Sequence, residues 1–403
     1  MNAVRKHLDK MKPTFSKGGK LWWLQSVFDG FETFLVVPNT TSNKQGAHIH
    51  DAIDSKRTMT AVIIALIPAI LFGMYNLGYQ HYLVTGQQVG FWATFFYGFC
   101  AILPKIIVSY LVGLGIEFAA AQIKGEEISE GYLVTGLLIP MILPIETPLW
   151  MMAIAIAFAV IFAKEVFGGT GYNIFNVALI TRAFLFFAYP AQMSGDEVFI
   201  RTGKTWGLGG SAAPIDAYTG ATPLGQVGLV NEGTPALTNA IGEPLTRLDS
   251  FIGLIPGSIG ETSTIAILIG ALILIAVGVA SWKIIVSTFA GGFLTALLFN
   301  AIGTTSAMSL PAIDHLLLGG FAFGAVFMAT DPVTASRTKV GKWIYGFLIG
   351  FFAISIRVLN PGYPEGMMLA ILLMNIFASL IDYLVIDRNI SMRKKRALAA
   401  AKK

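Results

Sequence analysis

Apolar runs long enough to cross a bilayer recur from Thr58 to Asp387, and they constrain the fold more than any other feature of the chain. A hydrocarbon core about 30 Å thick takes about 20 apolar residues per helix, and a backbone facing lipid must satisfy its hydrogen bonds within its own segment or in a closed barrel. No strand-like alternation competes with these runs, so helices are the expectation. The runs fall near Thr58–Gly78, Phe91–Gln122, Gly131–Pro144, Trp150–Ala163 and Phe175–Ala188. After one long polar stretch they resume near Thr264–Trp282, Ile284–Ile302, Asp314–Ala329, Trp343–Leu359 and Met367–Asp387. With 55% hydrophobic and 13% charged residues and a mean hydropathy of +0.68, the chain is too apolar for a soluble domain. The expected fold class is an all-α polytopic membrane protein with about ten transmembrane helices.

The distribution of cations tests that count, because Lys and Arg near span ends are retained in the cytoplasm. Of the 28, an even number of spans places 22 on the side of the termini and three, Arg201, Lys204 and Arg247, on the other; Lys105, Arg182 and Arg357 lie within spans. An odd number would put one basic tail outside. The predicted organisation is a cytoplasmic N-terminal segment (1–57), a first five-helix membrane repeat (58–189), an extracytoplasmic loop (190–262), a second five-helix repeat (263–387) and a basic cytoplasmic tail (388–403). The N-terminal segment lacks the apolar core of a cleaved signal peptide. Both termini are expected in the cytoplasm of a bacterium, with 190–262 in the periplasm. The net charge of +5 sits in the two tails and not on a face interleaved with aromatics, which argues against nucleic acid as a partner. The lone cysteine, Cys100, excludes an internal disulfide and a Cys-rich metal site. His48, His50, His81 and His315 show no metal-ligand spacing.

Five spans on each side of the loop place the halves in opposite orientations, the inverted-repeat arrangement of many transport scaffolds. The third and eighth spans are short and run into proline breaks (Pro140, Pro144 and Pro148; Asp331–Pro332). Paired broken helices point to a site near the midplane, or else to tilted helices with ordinary proline stops. Phe251–Gly260 is apolar but too short to span, and reads as a re-entrant segment.

Within the outer loop, Asp216-Ala217-Tyr218-Thr219-Gly220-Ala221-Thr222 fits the Asp-x-x-(Ser/Thr)-Gly-Ala-Thr pattern recognised by the extracytoplasmic flavin transferase. Thr222 is then the acceptor of a phosphoester to FMN, Gly220 and Ala221 are small neighbours that let the transferase close on it, and Asp216 and Thr219 complete the recognition pattern. A plain turn in a Gly- and Thr-rich loop is the alternative.

Joined to KEVFGGTGYN (Lys164–Asn173), RAFLFFAYPAQMSGD (Arg182–Asp196), IPGSIGETST (Ile255–Thr264), GGFAFGAVFMATDPV (Gly319–Val333) and NPGYPEGMMLAIL (Asn360–Leu372), this motif makes essentially the whole chain resemble one family. That family is the B-type membrane subunit of the sodium-translocating NADH:quinone reductase, with the D-type subunit of the Rnf complex as its sibling. The polar N-terminus and the ETST run look more like the B-type subunit. The resemblance implies one subunit of a six-subunit inner-membrane NADH:ubiquinone reductase that exports Na+. It also implies covalent FMN on the outer side, noncovalent riboflavin toward the inner side, and ubiquinone as electron acceptor. A solute permease or channel of similar fold is the alternative from another class.

By resemblance, Asn173 and Asn176 bind riboflavin. Three residues apart at the start of the fifth helix, they are expected on one helix face, where amides offer both donor and acceptor; polar contacts between helices are the other reading. Gly113, Gly115 and Glu117 mark, by family analogy, a quinone and sodium neighbourhood, although Leu114 departs from the adjacent glycines of the family, and such glycines more often serve helix packing. Intramembrane or membrane-edge carboxylates single out Glu117, Asp331 and Asp382 as a candidate Na+ path. For Asp331 a turn before proline is the alternative, and for Asp382 an interfacial anchor. Arg182 and Arg357 could meet flavin phosphate, quinone oxygen or a carboxylate.

Overall fold

A computed structural model describes residues 2–16, 18–35, 55–125, 131–193, 198–203, 218, 220–230, 236–360, 363 and 366–401. Among these, the chain is helical with no sheet, and it is an all-α polytopic membrane protein. A short N-terminal pair, α1 (Asn2–Phe15) and α2 (Gln25–Leu35), precedes the first five apolar helices. These are α3 (Ser55–Thr85), α4 (Phe91–Lys124), α5 (Tyr132–Ile142), α6 (Leu149–Ala163) and α7 (Val177–Ala188). The stretch between the two sets of apolar helices contains α8 (Pro223–Leu229) and α9 (Arg247–Ile252). The second set is α10 (Thr264–Val277), α11 (Trp282–Ile302), the short α12 (Ser306–Ser309), the interrupted α13 (Ala312–Leu317) and α14 (Phe321–Phe323), α15 (Lys339–Leu359) and α16 (Met367–Ala401).

Among the described residues, six helices, beginning at Arg57, Phe91, Leu149, Trp282, Lys339 and Met367, are long and apolar enough to cross a membrane; α5, α7 and α10 are shorter apolar helices. Several boundaries differ from expectation. Helix α3 runs past Gly78 because Gly78 and Gly98 have no side chain, letting the backbones of α3 and α4 touch at Thr94 and Met74. Helix α16 passes Asp387 into the basic tail, whose residues include no Gly or Pro to stop it and several strong helix formers. The fifth helix starts at Val177 and not at Phe175, since Gly168, Gly169 and Gly171 hold positive φ angles of 115°, 96° and 93° that keep the preceding run out of a helix.

The third and eighth elements are short or interrupted. Helix α5 has 11 residues, about 16 Å at 1.5 Å each, half of a hydrocarbon core. Buried Lys105 of α4 donates to the carbonyls of Pro144 (2.8 Å) and Thr147 (3.0 Å) beyond its end. An intramembrane ammonium and freed backbone oxygens thereby satisfy one another. The expected single run Asp314–Ala329 is split: α13 ends at Leu317, and α14 resumes at Phe321 and passes into a π-helical turn, Gly324–Met328. Arg357 of α15 fills the gap, donating to the carbonyls of His315 and Leu318.

The segment after α9 enters the bundle. Gly253, at φ 106°, turns the chain, and Ile255 and Ile259 are buried. Asn76 of α3 donates to the Ile255 carbonyl (2.9 Å), Gly260 N–H donates to the Met141 carbonyl at the end of α5 (2.8 Å), and Glu261 pairs with Arg182 of α7 at 2.7 Å. This non-helical backbone is tolerated because protein, not lipid, surrounds it.

Candidate functional site

The helices separate two faces. On one, the beginning of α3, the loop before α5, the run after α6, the end of α10 and the Thr330–Val333 turn enclose a cleft of about 800 Å³, open solvent included. Its wall includes Thr58, Lys164, Asn173, Asn176, Phe327 and Asp331. The other face carries α8, α9 and the loops near Arg201, where the His81 ring of α3 meets the Arg201 carbonyl at 2.8 Å.

Asn173 and Asn176 both line the cleft, but not as one face of a helix. Asn176 is the N-cap of α7: its Oδ1 accepts from Ala178 N–H (3.1 Å) and Leu179 N–H (3.2 Å), and its amide nitrogen donates to Asp331 Oδ2 (3.2 Å). Asn173 stands in the glycine-held run and donates to the Phe175 carbonyl (2.9 Å). Each amide nitrogen carries two hydrogens, so one N–H of each remains for a molecule in the cleft. Asp331 Oδ1 accepts from Val333 N–H (3.0 Å), fixing the turn, while Oδ2 ties it to α7. The turn reading and the placement at a cavity are thus both realised by one side chain.

Glu117 lies behind the cleft wall. Its Oε1 is paired with the Lys164 ammonium, both side chains being at most 5% exposed, and its Oε2 has no hydrogen-bond partner. Gly113, one turn earlier in α4, receives the ring of Tyr132, whose hydroxyl donates to the Ser109 carbonyl (3.1 Å). The space beside Gly113 is therefore filled by a tyrosine of α5, so this glycine serves close helix packing. Gly115 faces outward with open space beside it.

Asp382 stands apart from the cleft. Its carboxylate accepts from Ser336 Oγ (2.6 Å), Arg337 N–H (2.7 Å), Thr338 N–H (3.0 Å) and Thr338 Oγ1 (2.6 Å), holding the turn that starts α15. Arg182 and Arg357 meet Glu261 and backbone carbonyls, as described above.

On the opposite face, Thr222 is the N-cap of α8 and half-buried, its Oγ1 accepting from Gly225 N–H (3.1 Å). Gln226 clamps this corner, donating to the carbonyls of Ala221 (3.3 Å) and Thr238 (2.9 Å) and accepting from Thr238 N–H (2.9 Å). Gly220 and Ala221 are buried, so they pack inward and do not stand open beside the acceptor. Asp216 and Thr219 lie outside the described residues.

The profile of the NQR2, RnfD, RnfE family matches residues 42–391. The chain belongs to this family. Its curated relatives include B-type subunits of Na(+)-translocating NADH-quinone reductases. That of Chromohalobacter salexigens is 43% identical over 420 residues, covering 98% of this chain and 97% of the relative. Its counterpart in Stutzerimonas stutzeri is 43% identical over 419 residues, covering 98% and 99%. The Klebsiella pneumoniae relative is 45% identical over 424 residues, covering 97% and 99%.

Lys164 and Glu261 were not singled out in the sequence. Lys164 sits at a span end, where it counts as an orienting charge, and Glu261 falls in the loop. A signal existed for the first: a carboxylate as deep in an apolar helix as Glu117 calls for a cation on a neighbouring element.

Proposed function

We propose that the chain is the membrane subunit of a redox-driven sodium pump, an NADH:ubiquinone reductase, of the kind its relatives' names describe. In this reading FMN is bound covalently at Thr222, riboflavin occupies the cleft at Asn173 and Asn176, ubiquinone is the electron acceptor and Na+ is exported. The subunit works within a six-subunit complex of the bacterial inner membrane, with both termini cytoplasmic and residues 190–262 periplasmic. A flavin transferase matures it.

The observation that carries this reading is the division of the sequence-derived residues between two faces: the flavin acceptor at one, and the amides with Asp331 at the other. The Thr222 hydroxyl fits a phosphoester. The cleft suits a flat ring with polar edges in its apolar walls and in the amide N–H groups of Asn173 and Asn176. When bound, the flavins supply reversible electron carriage.

The chain's own residues bind and orient. Asn173 and Asn176 donate to polar ring edges, Phe327 and Val177 supply apolar walls, and the Asn176–Asp331 bond locks the start of α7 to the turn opposite. The Glu117–Lys164 pair holds α4 against the cleft wall and keeps a cation at its margin. For sodium, hard oxygen donors at the interrupted eighth element, with Asp331 the nearest carboxylate, form the candidate path; Glu117 Oε2 is a second. In this reading Asp382, whose carboxylate accepts four hydrogen bonds in its turn, holds the start of α15 and is not assigned to that path. A permease reading leaves the Thr222 motif without a role.

The test is Thr222→Ala. The variant is expected to assemble and to lose quinone reduction, while full retained activity would contradict the assigned electron path.

A further inference from the structure

The turn that follows α5 holds a buried cation of the protein's own. Lys105 of α4, 3% exposed, donates to the carbonyls of Pro144 (2.8 Å) and Thr147 (3.0 Å). These oxygens lie just past the C-terminus of a short helix, at the negative end of its dipole. A third oxygen of the same turn, Thr147 Oγ1, has no hydrogen-bond partner although Thr147 is 2% exposed. Buried hydroxyls are nearly always paired, so an orphan beside two freed carbonyls marks a place for something that binds oxygen. Carbonyls at the C-termini of half-helices are the groups that coordinate Na+ in broken-helix transport scaffolds. The turn is also well placed. Val134, Thr135 and Leu138 of α5 line the cleft that contains Asp331, and the helix, about 16 Å long, leads from there to Pro144. Beyond it the turn meets the loops near Arg201 on the opposite face. Glu146 N–H donates to the Val198 carbonyl (3.2 Å), and the Glu146 carboxylate, 40% exposed, faces Arg201 at 3.7 Å.

We propose that the Pro144 and Thr147 carbonyls and Thr147 Oγ1 form an exit site for Na+, and that the Lys105 ammonium occupies it between turnovers. The tethered cation yields to Na+ that is leaving and bars Na+ from returning. This rests on the proposed sodium path through the chain. An ammonium and a sodium ion carry the same charge and bind the same oxygens, so the turn holds one of them at a time. Lysine suits the exchange, because its charge is compact and rides on a flexible four-carbon stem. The Glu146 carboxylate, in the same turn and nearer solvent, offers the displaced ammonium a counter-charge. Arg357 supplies the contrast: its planar fork donates to the carbonyls of both His315 and Leu318 across the break in the eighth element, a geometry suited to a standing brace. Asp331 at the cleft draws a cation in, and Lys105 at the far end of α5 closes the way behind it.

The experiment reconstitutes the whole complex in liposomes, in wild-type form and as Lys105→Gln, Lys105→Arg, Thr147→Val and Thr147→Ser, at matched flavin content. Uptake of radioactive sodium is measured without NADH and during NADH oxidation, with choline as the control cation. Lys105→Gln is expected to raise passive Na+ entry several-fold and to leave choline entry unchanged. Lys105→Arg, which keeps the charge on a side chain that does not withdraw, stays tight and slows driven uptake several-fold. A merely structural lysine would move both variants in one direction. Thr147→Val, which keeps the shape and removes one oxygen, slows driven uptake several-fold, and Thr147→Ser restores it. Passive entry in Lys105→Gln no greater than wild type, or driven uptake in Lys105→Arg or Thr147→Val equal to wild type, overturns the exit site and leaves the pump standing. If Lys105→Gln does not assemble, Lys105→Arg and Thr147→Val decide by the same criteria. A wild-type complex that oxidises NADH without taking up Na+ overturns the pump reading and the site with it.

Discussion

Removing the Glu117 carboxylate as Glu117→Gln leaves the Lys164 ammonium buried without its counter-ion. Both side chains are at most 5% exposed and belong to different elements, α4 and the end of α6, so neither reaches water without moving a helix. Breaking a buried pair by deleting one partner costs about 3–5 kcal/mol, whereas replacing both by apolar or neutral groups of similar shape is often close to neutral. The single variants Glu117→Gln and Lys164→Met are therefore each predicted to lose about 3–5 kcal/mol. The double variant should recover most of that loss. The assay is a double-mutant cycle on the detergent-solubilised complex, read as thermal inactivation and as retention of bound flavin. If the double variant is as unstable as the sum of the singles, the two groups do not interact and the ion pair does not hold the cleft wall.

Three further outcomes follow from contacts already described. Gly113→Ala puts a methyl group into the Tyr132 ring and is predicted to cost about 1–3 kcal/mol of stability; a further Tyr132→Leu change should relieve it, as a thermal-shift series will show. Asp382→Asn weakens four hydrogen bonds at the start of α15 and should cost about 1–3 kcal/mol while leaving the sodium dependence of turnover unchanged, and a raised Na+ requirement would return Asp382 to the ion path. Asp331→Asn keeps the size of the side chain but removes its charge from the cleft, so it should raise the Na+ concentration needed for half-maximal turnover, measured with the flavin content held equal.

The apolar runs announced the bundle, and the positions of 28 cations implied two faces, because both signals depend on local composition and on the thickness of the solvent they meet. Side-chain partnerships were less legible. Asn173 and Asn176 line one cleft, but their spacing of three suggested a helix face that Gly168, Gly169 and Gly171 do not allow. Glycine marks both close packing and positive φ, and spacing alone does not separate them. Gly113 illustrates the same ambiguity, since what fills the space beside it, Tyr132, comes from another element. Lys164 and Glu261 find their partners 47 and 79 residues away, at separations that local pattern does not encode.

Thr222 carries the most weight in the proposed function, since the proposed electron path runs through a flavin attached there. Mass spectrometry of the Thr222 peptide from the purified native complex measures it. The predicted result is a peptide heavier by FMN less one water, with fragmentation locating the addition on Thr222 and the addition absent from Thr222→Ala. An unmodified Thr222 in an active, sodium-dependent complex would contradict the proposed electron path.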